Sequence, residues 1–211
     1  MPVPAQPTLG ELFAASPRDG GATGFLLAQL DRERPLLWVQ ERMAILEAGR
    51  IYPPGLGGRI AAGLIHVEAR DARAALWAME EGLRCSALGG VIGELWGDPK
   101  ALDFTATRRL AVAAERSGVP VWLVRFGGMA NLSGARMRWR VASAPSLAHE
   151  FDPRAPGAAA WDAELFRARG AVPGRWPRCW SAGGGDGAAD FERVVAVAAD
   201  RAMAAGEQKR A

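Results

Sequence analysis

The sequence predicts an α/β protein in which helices flank a mostly parallel central sheet and an antiparallel β extension follows at the C-terminal end. Up to Val124, short continuous apolar runs alternate with segments of helical periodicity, which is typical of parallel strands buried on both faces. Beyond Gly134, strand-like segments follow one another without intervening helices. We therefore expect a core over residues 1–150 and a small β-rich extension and tail over residues 151–211.

The composition is that of an ordinary globular chain, with 211 residues, 49% hydrophobic and 23% charged. Its formal net charge is +3, and the 26 basic residues include only two lysines, Lys100 and Lys209, which leaves 24 arginines. Arginine suits bidentate contacts with phosphate and carboxylate, but it is also abundant in proteins from GC-rich genomes. The charge therefore permits nucleic-acid contact without requiring it.

Cysteine, histidine and hydropathy patterns give no sign of a metal site or a membrane segment. Cys85 and Cys179 stand far apart and have no second Cys or His at ligand spacing. No stretch approaches the roughly 18 to 20 apolar residues that a membrane span needs, and the N-terminus lacks a signal-peptide pattern. We expect a cytoplasmic, reduced protein without metal or cofactor.

The first element is a strand (ELFA, residues 11–14), a turn and a helix whose apolar pattern begins at Phe25. Its turn has the length of the phosphate loop G-x-x-x-x-G-K-S/T and keeps the second glycine and the final Thr. The first glycine is replaced by Ser16 and the lysine by Ala22. In full, this degenerate phosphate loop comprises Ser16, Pro17, Arg18, Asp19, Gly20, Gly21, Ala22 and Thr23.

Loss of the lysine removes a charge-assisted hydrogen bond to phosphate, worth roughly 1.5–3 kcal/mol. Hydrolysis suffers more than binding, because charge develops on the transferring phosphoryl group in the transition state. Arg18 could compensate from within the loop, although it starts from a different place. The other interpretation is an ordinary strand, turn and helix with glycines in the turn.

Polar residues follow the next buried strands, which we predict at residues 35–39, 64–67 and 88–93, with a Pro/Gly loop at 51–59. Gln40, Glu41 and Arg42 follow the first of these strands, and Glu94 follows the last. Ligands bind at the carboxyl ends of strands in α/β sheets, so these residues are candidates for a site.

Two amphipathic helices are predicted between the later strands. Asp71 caps the first, and Asp98 with Pro99 begins the second, which covers residues 100–117 and ends at Gly118. A fourth buried strand follows at residues 119–124, with Arg125 directly after it.

Residues 136–141 alternate strictly, as a strand with one basic and one apolar face. The basic face carries Arg136, Arg138 and Arg140, and the apolar face carries Met137, Trp139 and Val141. The basic face is either a solvated antiparallel edge or, with Arg125, a stripe that contacts DNA phosphates. Further strands are predicted at 164–170 and 174–180, then a turn at 181–187, a strand or helix at 191–199 and a frayed tail at 206–211.

The order of these parts resembles the RecA-like ATPase core, and more closely the ImuA family of RecA-related accessory proteins in bacterial SOS mutagenesis. The resemblance covers most of the chain. It is carried by ATGF (22–25), PLLWVQERM (35–43), DARAALWAMEEGLRC (71–85), GGVIGELWGDPKALDFTATRRLAVAAERSGV (89–119), ARMRWRVASAPS (135–146), WDAELFRARG (161–170) and GRW (174–176).

This resemblance implies a degenerate RecA-like core. Ala22 matches the phosphate-loop lysine, Arg42 or Glu41 matches the acid that activates water, and Glu94 matches the magnesium-holding Asp. The expected protein has the fold without the ATPase. The chain also begins only a few residues before its first core strand, so it lacks the segment with which RecA grips a filament neighbour, and self-polymerisation is not expected.

The function that the resemblance implies is that of a non-catalytic adaptor in SOS-induced translesion DNA synthesis. Its partners would be the inactive Y-family polymerase ImuB, an error-prone DNA polymerase III alpha subunit and RecA, with at most a weak DNA contact. The alternatives are a weak ATPase that uses Arg18 and Glu94, a recombinase-like DNA-binding protein, and a cell-division inhibitor similar to SulA.

Overall fold

A single eight-stranded sheet organises the chain in the computed structural model, which describes residues 7–31, 33–149, 151–152 and 154–180. In chain order the strands are β1 (Leu9–Ala14), β2 (Leu36–Glu41), β3 (Leu64–Ala69), β4 (Gly90–Trp96), β5 (Val121–Phe126), β6 (Met137–Ala144), β7 (Ala160–Ala168) and β8 (Gly174–Trp180). Across the sheet their order is β3-β2-β4-β5-β1-β6-β7-β8.

Strands β1 to β6 are parallel, and β7 and β8 are antiparallel to their neighbours. This confirms the α/β class, the mostly parallel sheet and the antiparallel C-terminal strands. β6 lies between β1 and β7, so the interpretation of residues 136–141 as a sheet edge is wrong. Because β7 and β8 continue the same sheet, the division at residue 150 stays a prediction.

Five helices connect the strands in the described part of the chain: α1 (Gly21–Leu27), α2 (Arg42–Ala48), α3 (Gly58–Ala62), α4 (Ala72–Gly82) and α5 (Phe104–Ser117), with a 3-10 turn at Pro53–Leu56. The Asp71 carboxylate caps α4 by accepting from the Ala74 N–H at 2.8 Å, as predicted. Gly118 ends α5 with φ 73°, also as predicted.

The predicted start of α5 at Asp98 is wrong. Asp103 is the cap, since its carboxylate accepts from the Ala106 N–H at 2.7 Å. The Asp98 carboxylate instead accepts from Arg125 and from the Met129 N–H. Helices α2 and α3 were not predicted: α2 has only seven residues, and α3, with five, begins within the Pro/Gly-rich segment 51–59. The predictions for residues 181–187, 191–199 and 206–211 lie outside the described residues.

Two apolar layers cover the two faces of the sheet. The α1 face packs α1 against side chains such as Trp38 and Trp139, and the opposite α4–α5 face packs α4 and α5 against side chains such as Val39 and Leu123. Strand alternation assigns each side chain to a face, so Trp139 lies on the first and Arg138 on the second. Among the described residues, no helix combines the length and the apolar character that crossing a membrane requires.

Candidate functional site

The loop between β1 and α1 is closed by one of its own carboxylates. Asp19 Oδ1 accepts from the Gly21 N–H at 2.8 Å, at the first residue of α1. Its Oδ2 accepts from the Ser143 N–H at 2.8 Å, and the Ser143 hydroxyl also donates to Oδ1. Asp19 therefore joins the start of α1 to the end of β6.

In a working phosphate loop, backbone N–H groups at this point donate to phosphate oxygens. Here the Asp19 carboxylate accepts one of them. Burial alone would raise the pKa of Asp19, but hydrogen bonds from the Ser143 hydroxyl, the Ser143 N–H and the Gly21 N–H lower it below the ordinary value. A Cβ on Gly21 would lie 2.7 Å from the Ser143 nitrogen, so this close approach requires glycine.

The remaining loop residues form a turn and one core contact. The Ser16 hydroxyl accepts from the Arg18 N–H at 3.2 Å, and the Ser16 carbonyl accepts from the Asp19 N–H at 3.1 Å. Ala22, at the lysine position, is fully buried in the apolar layer of the α1 face. The residue that the sequence alignment placed at the lysine position therefore packs in the core.

A cavity of about 330 Å³, which we call the loop cavity, opens beside this turn at the carboxyl edge of the sheet. The loop and the ends of β2, β4 and β5 enclose it, together with the segment after α2. Its lining residues are Pro17, Arg18, Asp19, Gly20, Thr23, Trp38, Gln40, Ala48, Gly49, Arg50, Ile51, Tyr52, Gly55, Leu56, Glu94 and Phe126.

Glu94 lies on the floor of the loop cavity with both carboxyl oxygens engaged. The Trp38 indole N–H donates to Oε1 at 2.9 Å, and the Gln40 amide donates to Oε2 at 2.7 Å. Burial raises the pKa of Glu94 despite these two hydrogen bonds. A carboxyl whose two oxygens already accept hydrogen bonds, and whose ionisation burial makes more costly, is a weaker ligand for magnesium.

Gln40 is the centre of this polar floor, a role that sequence reasoning missed. Its Oε1 accepts from the Ile51 N–H at 3.0 Å and lies 3.0 Å from His66 Nε2, and its Nε2 also donates to the Gly49 carbonyl at 3.1 Å. The available signal was strand alternation, because Gln40 shares a face with Trp38 two residues earlier.

Neither residue that matches the water-activating acid lines the loop cavity. Glu41 is buried, and its Oε2 accepts from the Trp96 N–H at 3.0 Å. Arg42 is exposed at the first position of α2. The structure thus brings Glu94 and the loop together but leaves Glu41 and Arg42 outside. Within the described residues, no three His, Cys, Asp or Glu side chains converge as a metal site would require.

A second cavity of about 190 Å³, the crevice, lies at the same edge on the α4–α5 face. The fully buried Glu11 of β1 is at its base. Arg138 Nε donates to Glu11 Oε2 at 2.6 Å, Arg125 Nη1 lies 3.6 Å from Glu11 Oε1, and Arg125 also pairs with Asp98. The crevice is lined by Glu11, Asp98, Pro99, Lys100, Leu102, Thr107, Arg125, Asn131, Leu132 and Ser133.

All four candidate phosphate-binding arginines have carboxylate partners. The side chains of Arg125 and Arg138 are only 4% and 3% exposed, and both contact Glu11. Arg136 pairs with Glu115 at 2.7 Å, and Arg140 pairs with Glu164 at 3.2 Å. Only Arg136 and Arg140 reach solvent appreciably, at 28% and 53% exposed. Contact with DNA phosphate stays a prediction.

The role of Glu11 was missed because the residue sits inside an apolar run. Aromatic rings complete its surroundings: the Arg125 guanidinium lies 5.5 Å from the Phe13 ring centroid, and that of Arg138 lies 5.3 Å from the centroids of both Phe13 and Phe166. Such contacts stabilise cations that have left water.

No family profile matches the chain. It is 36% identical over 185 residues to Protein ImuA of Caulobacter vibrioides, in two strains, and the match covers 83% of this chain and 71% of that protein. Among solved structures, SulA from Pseudomonas aeruginosa matches with a TM-score of 0.39 and 21% identity, over 56% of this chain and 98% of that one. A TM-score this low carries no argument. The identity to Protein ImuA and its coverage show that the chain belongs to the ImuA family.

Proposed function

We propose that this chain is a non-catalytic adaptor with a degenerate RecA-like core, acting in SOS-induced translesion DNA synthesis and mutagenesis in the cytoplasm. Membership of the ImuA family supports the process. The geometry of the loop supports the absence of ATP hydrolysis.

The observation that carries the proposal is the Asp19 carboxylate at the start of α1. An anionic side chain that accepts the Gly21 N–H competes with any phosphate for that donor and repels it. With Ala22 buried, the loop also has no lysine to attract the phosphate.

The other two positions of the ATPase machinery support the same conclusion. Both Glu94 oxygens already accept hydrogen bonds, and burial raises the pKa of this carboxyl. Glu41 lies outside the loop cavity and is held by the Trp96 N–H. The two carboxyls that line the loop cavity beside Thr23, those of Asp19 and Glu94, already accept hydrogen bonds from the chain at both oxygens.

An adaptor without its own chemistry must act through surfaces. We propose as partners an ImuB-type inactive Y-family polymerase, an error-prone polymerase III alpha subunit and RecA, because the family resemblance implies them. A weak DNA contact through Arg136 and Arg140 could accompany these interactions.

The test is calorimetric titration of the purified chain with magnesium ATP, in parallel with titration by the ImuB-type partner. We expect no heat of nucleotide binding and a clear heat of partner binding. Magnesium-dependent ATP turnover that disappears in Thr23→Ala would overturn the non-catalytic proposal. Absence of partner binding would overturn the adaptor role.

One arrangement favours a second candidate function, a weak ATPase. Arg18, Thr23 and Glu94 all line the loop cavity, so a cation, a hydroxyl and a carboxyl lie around one space. In this alternative Arg18 replaces the lysine, and Arg18→Ala should abolish turnover. The matched control is Arg50→Ala, which removes another cation from the same cavity.

A further inference from the structure

The loop at residues 127–134, between β5 and β6, presents two large apolar side chains to solvent. Met129 is 65% exposed and Leu132 is 69% exposed. Leu132 also lines the crevice, so apolar surface borders a polar cavity there. Exposed apolar surface with a polar rim marks an interaction site when it forms a continuous patch.

This loop is held in place at both ends. The Met129 N–H donates to the Asp98 carboxylate at 3.0 Å, and the Gly134 N–H donates to the Thr107 hydroxyl at 2.9 Å. A Cβ on Gly128 would lie 2.7 Å from the Gly97 carbonyl, and one on Gly134 would lie 2.7 Å from the backbone of Arg108. A loop packed this closely presents its side chains with little ordering cost on binding.

Two basic residues beside the loop make no ion pair among the described residues. Lys100 lines the crevice, and the backbone of Arg108 lies against Gly134. The nearby carboxylate of Asp98 is already occupied by Arg125 and the Met129 N–H. A partner that complements this surface would carry negative charge.

The base of the crevice also contains two polar atoms that make no hydrogen bond. Glu11 Oε1 and Arg125 Nε are buried and make no hydrogen bond, and both residues line the crevice. A buried acceptor and a buried donor that make no hydrogen bond are each costly. A partner group that reached either atom would remove part of that cost.

From these observations we propose that the 127–134 loop, with Lys100 and Arg108, is the docking site for an acidic peptide segment of a partner protein, with bulky apolar side chains beside its carboxylates. Leu132 and Met129 would receive the apolar side chains, and Lys100 and Arg108 the carboxylates. The inference rests on the adaptor function proposed above and names the surface through which it acts.

The surface favours a peptide over a nucleic acid. Single strands bind through stacking on aromatic rings and through cations that track the phosphates. Met129 and Leu132 offer no ring, and the larger group of arginines on β5 and β6 is already paired with carboxylates.

The test ligand is a fluorescent peptide in which glutamate alternates with leucine. Three further ligands serve as controls: the same peptide with lysine in place of glutamate, the same peptide with serine in place of leucine, and an oligothymidylate. Binding is measured by anisotropy and mapped by amide chemical shifts. Of the four ligands, we expect only the glutamate–leucine peptide to bind and to change the amide chemical shifts of residues 127–134. Leu132→Ser and Lys100→Glu should each weaken it about tenfold or more.

The matched controls are Leu46→Ser on α2, which is similarly exposed, and Arg73→Glu on α4; neither should change binding. Peptide binding that is unaffected by Leu132→Ser and Lys100→Glu overturns the proposal, and so does oligothymidylate binding to the same amides. Titration with the ImuB-type partner distinguishes failure of this docking site from failure of the adaptor role. If the partner binds Leu132→Ser as tightly as the wild type, the adaptor role stands and this docking site is refuted. If it does not bind the wild type, the adaptor role falls whatever the peptide does.

Discussion

The loop cavity and the crevice lie at the same edge of one sheet, on opposite faces, and the chain treats charge differently in each. In the loop cavity, hydrogen bonds from the chain occupy the carboxyls of Asp19 and Glu94. In the crevice, the buried side chains of Glu11 and Arg125 lie 3.6 Å apart, and each retains an atom without a hydrogen bond. In the loop cavity the chain itself supplies the hydrogen bonds that the carboxyls accept. In the crevice, one atom of Glu11 and one of Arg125 still lack a hydrogen bond that a partner would supply.

The largest expected effect is on the crevice, where Glu11→Ala should lower the free energy of unfolding by about 3–5 kcal/mol. The substitution leaves Arg138 as a buried cation without its carboxylate partner, and it removes one of the two carboxylates that lie beside Arg125. Urea denaturation measures the loss.

The control for that loss is the double variant Glu11→Leu with Arg138→Met, which removes both charges and keeps most of the apolar volume. It should be more stable than Glu11→Ala alone, because no unpaired cation stays buried. A Glu11→Ala variant as stable as the wild type would show that the ion pairs of the crevice contribute nothing to folding.

On the loop cavity, Asp19→Ala should cost less, about 1–2 kcal/mol, because Asp19 is only partly buried although it accepts three hydrogen bonds. Thermal unfolding compares it with Asp19→Asn, which keeps the shape but removes the charge. If the carboxylate holds the loop, Asn should recover only part of the loss. Equal stability of all three proteins would contradict the tether between α1 and β6.

The two carboxyls of the loop cavity should respond to pH in opposite directions. The lowered pKa of Asp19 means that its stabilisation is full above its unfolded value of 3.8 and is lost as pH falls through the lower folded value. The raised pKa of Glu94 means that its contribution is full below 4.5 and is lost as pH rises through the higher folded value.

Variants can separate these two pH effects. The stability difference between wild type and Asp19→Ala should shrink as pH is lowered below 3.8. Glu94→Gln should gain on the wild type as pH is raised above 4.5, because the amide cannot ionise. Urea titrations across this range measure both differences, and parallel curves for wild type and variants would refute the two shifts.

Local patterns in the sequence predict most of the strands and one helix cap, but not the contacts that form either cavity. The strand predicted at 119–124 is read from apolar composition and corresponds to β5, and the Asp71 cap is read from one residue type at one position. The Glu11–Arg138 contact joins residues 127 apart, and the Asp19–Ser143 contact joins residues 124 apart. Each depends on β1 pairing with β6, which no local pattern specifies.

The smallest expected effect lies outside both cavities, at Arg140. Its pair with Glu164 is solvent-exposed on both sides, so Arg140→Ala should change the free energy of unfolding by less than about 1 kcal/mol.

The other predicted role of Arg140 is contact with DNA phosphate. Because the substitution changes stability so little, its effect on DNA affinity can be measured on a folded protein. If Arg136 and Arg140 contact a single strand, each substitution to Ala should reduce the slope of log affinity against log salt by about 0.7. Glu115→Gln and Glu164→Gln are the matched controls, because they release the same arginines and should strengthen any phosphate contact. An unchanged slope in all four variants would show that these arginines serve only the surface of the sheet.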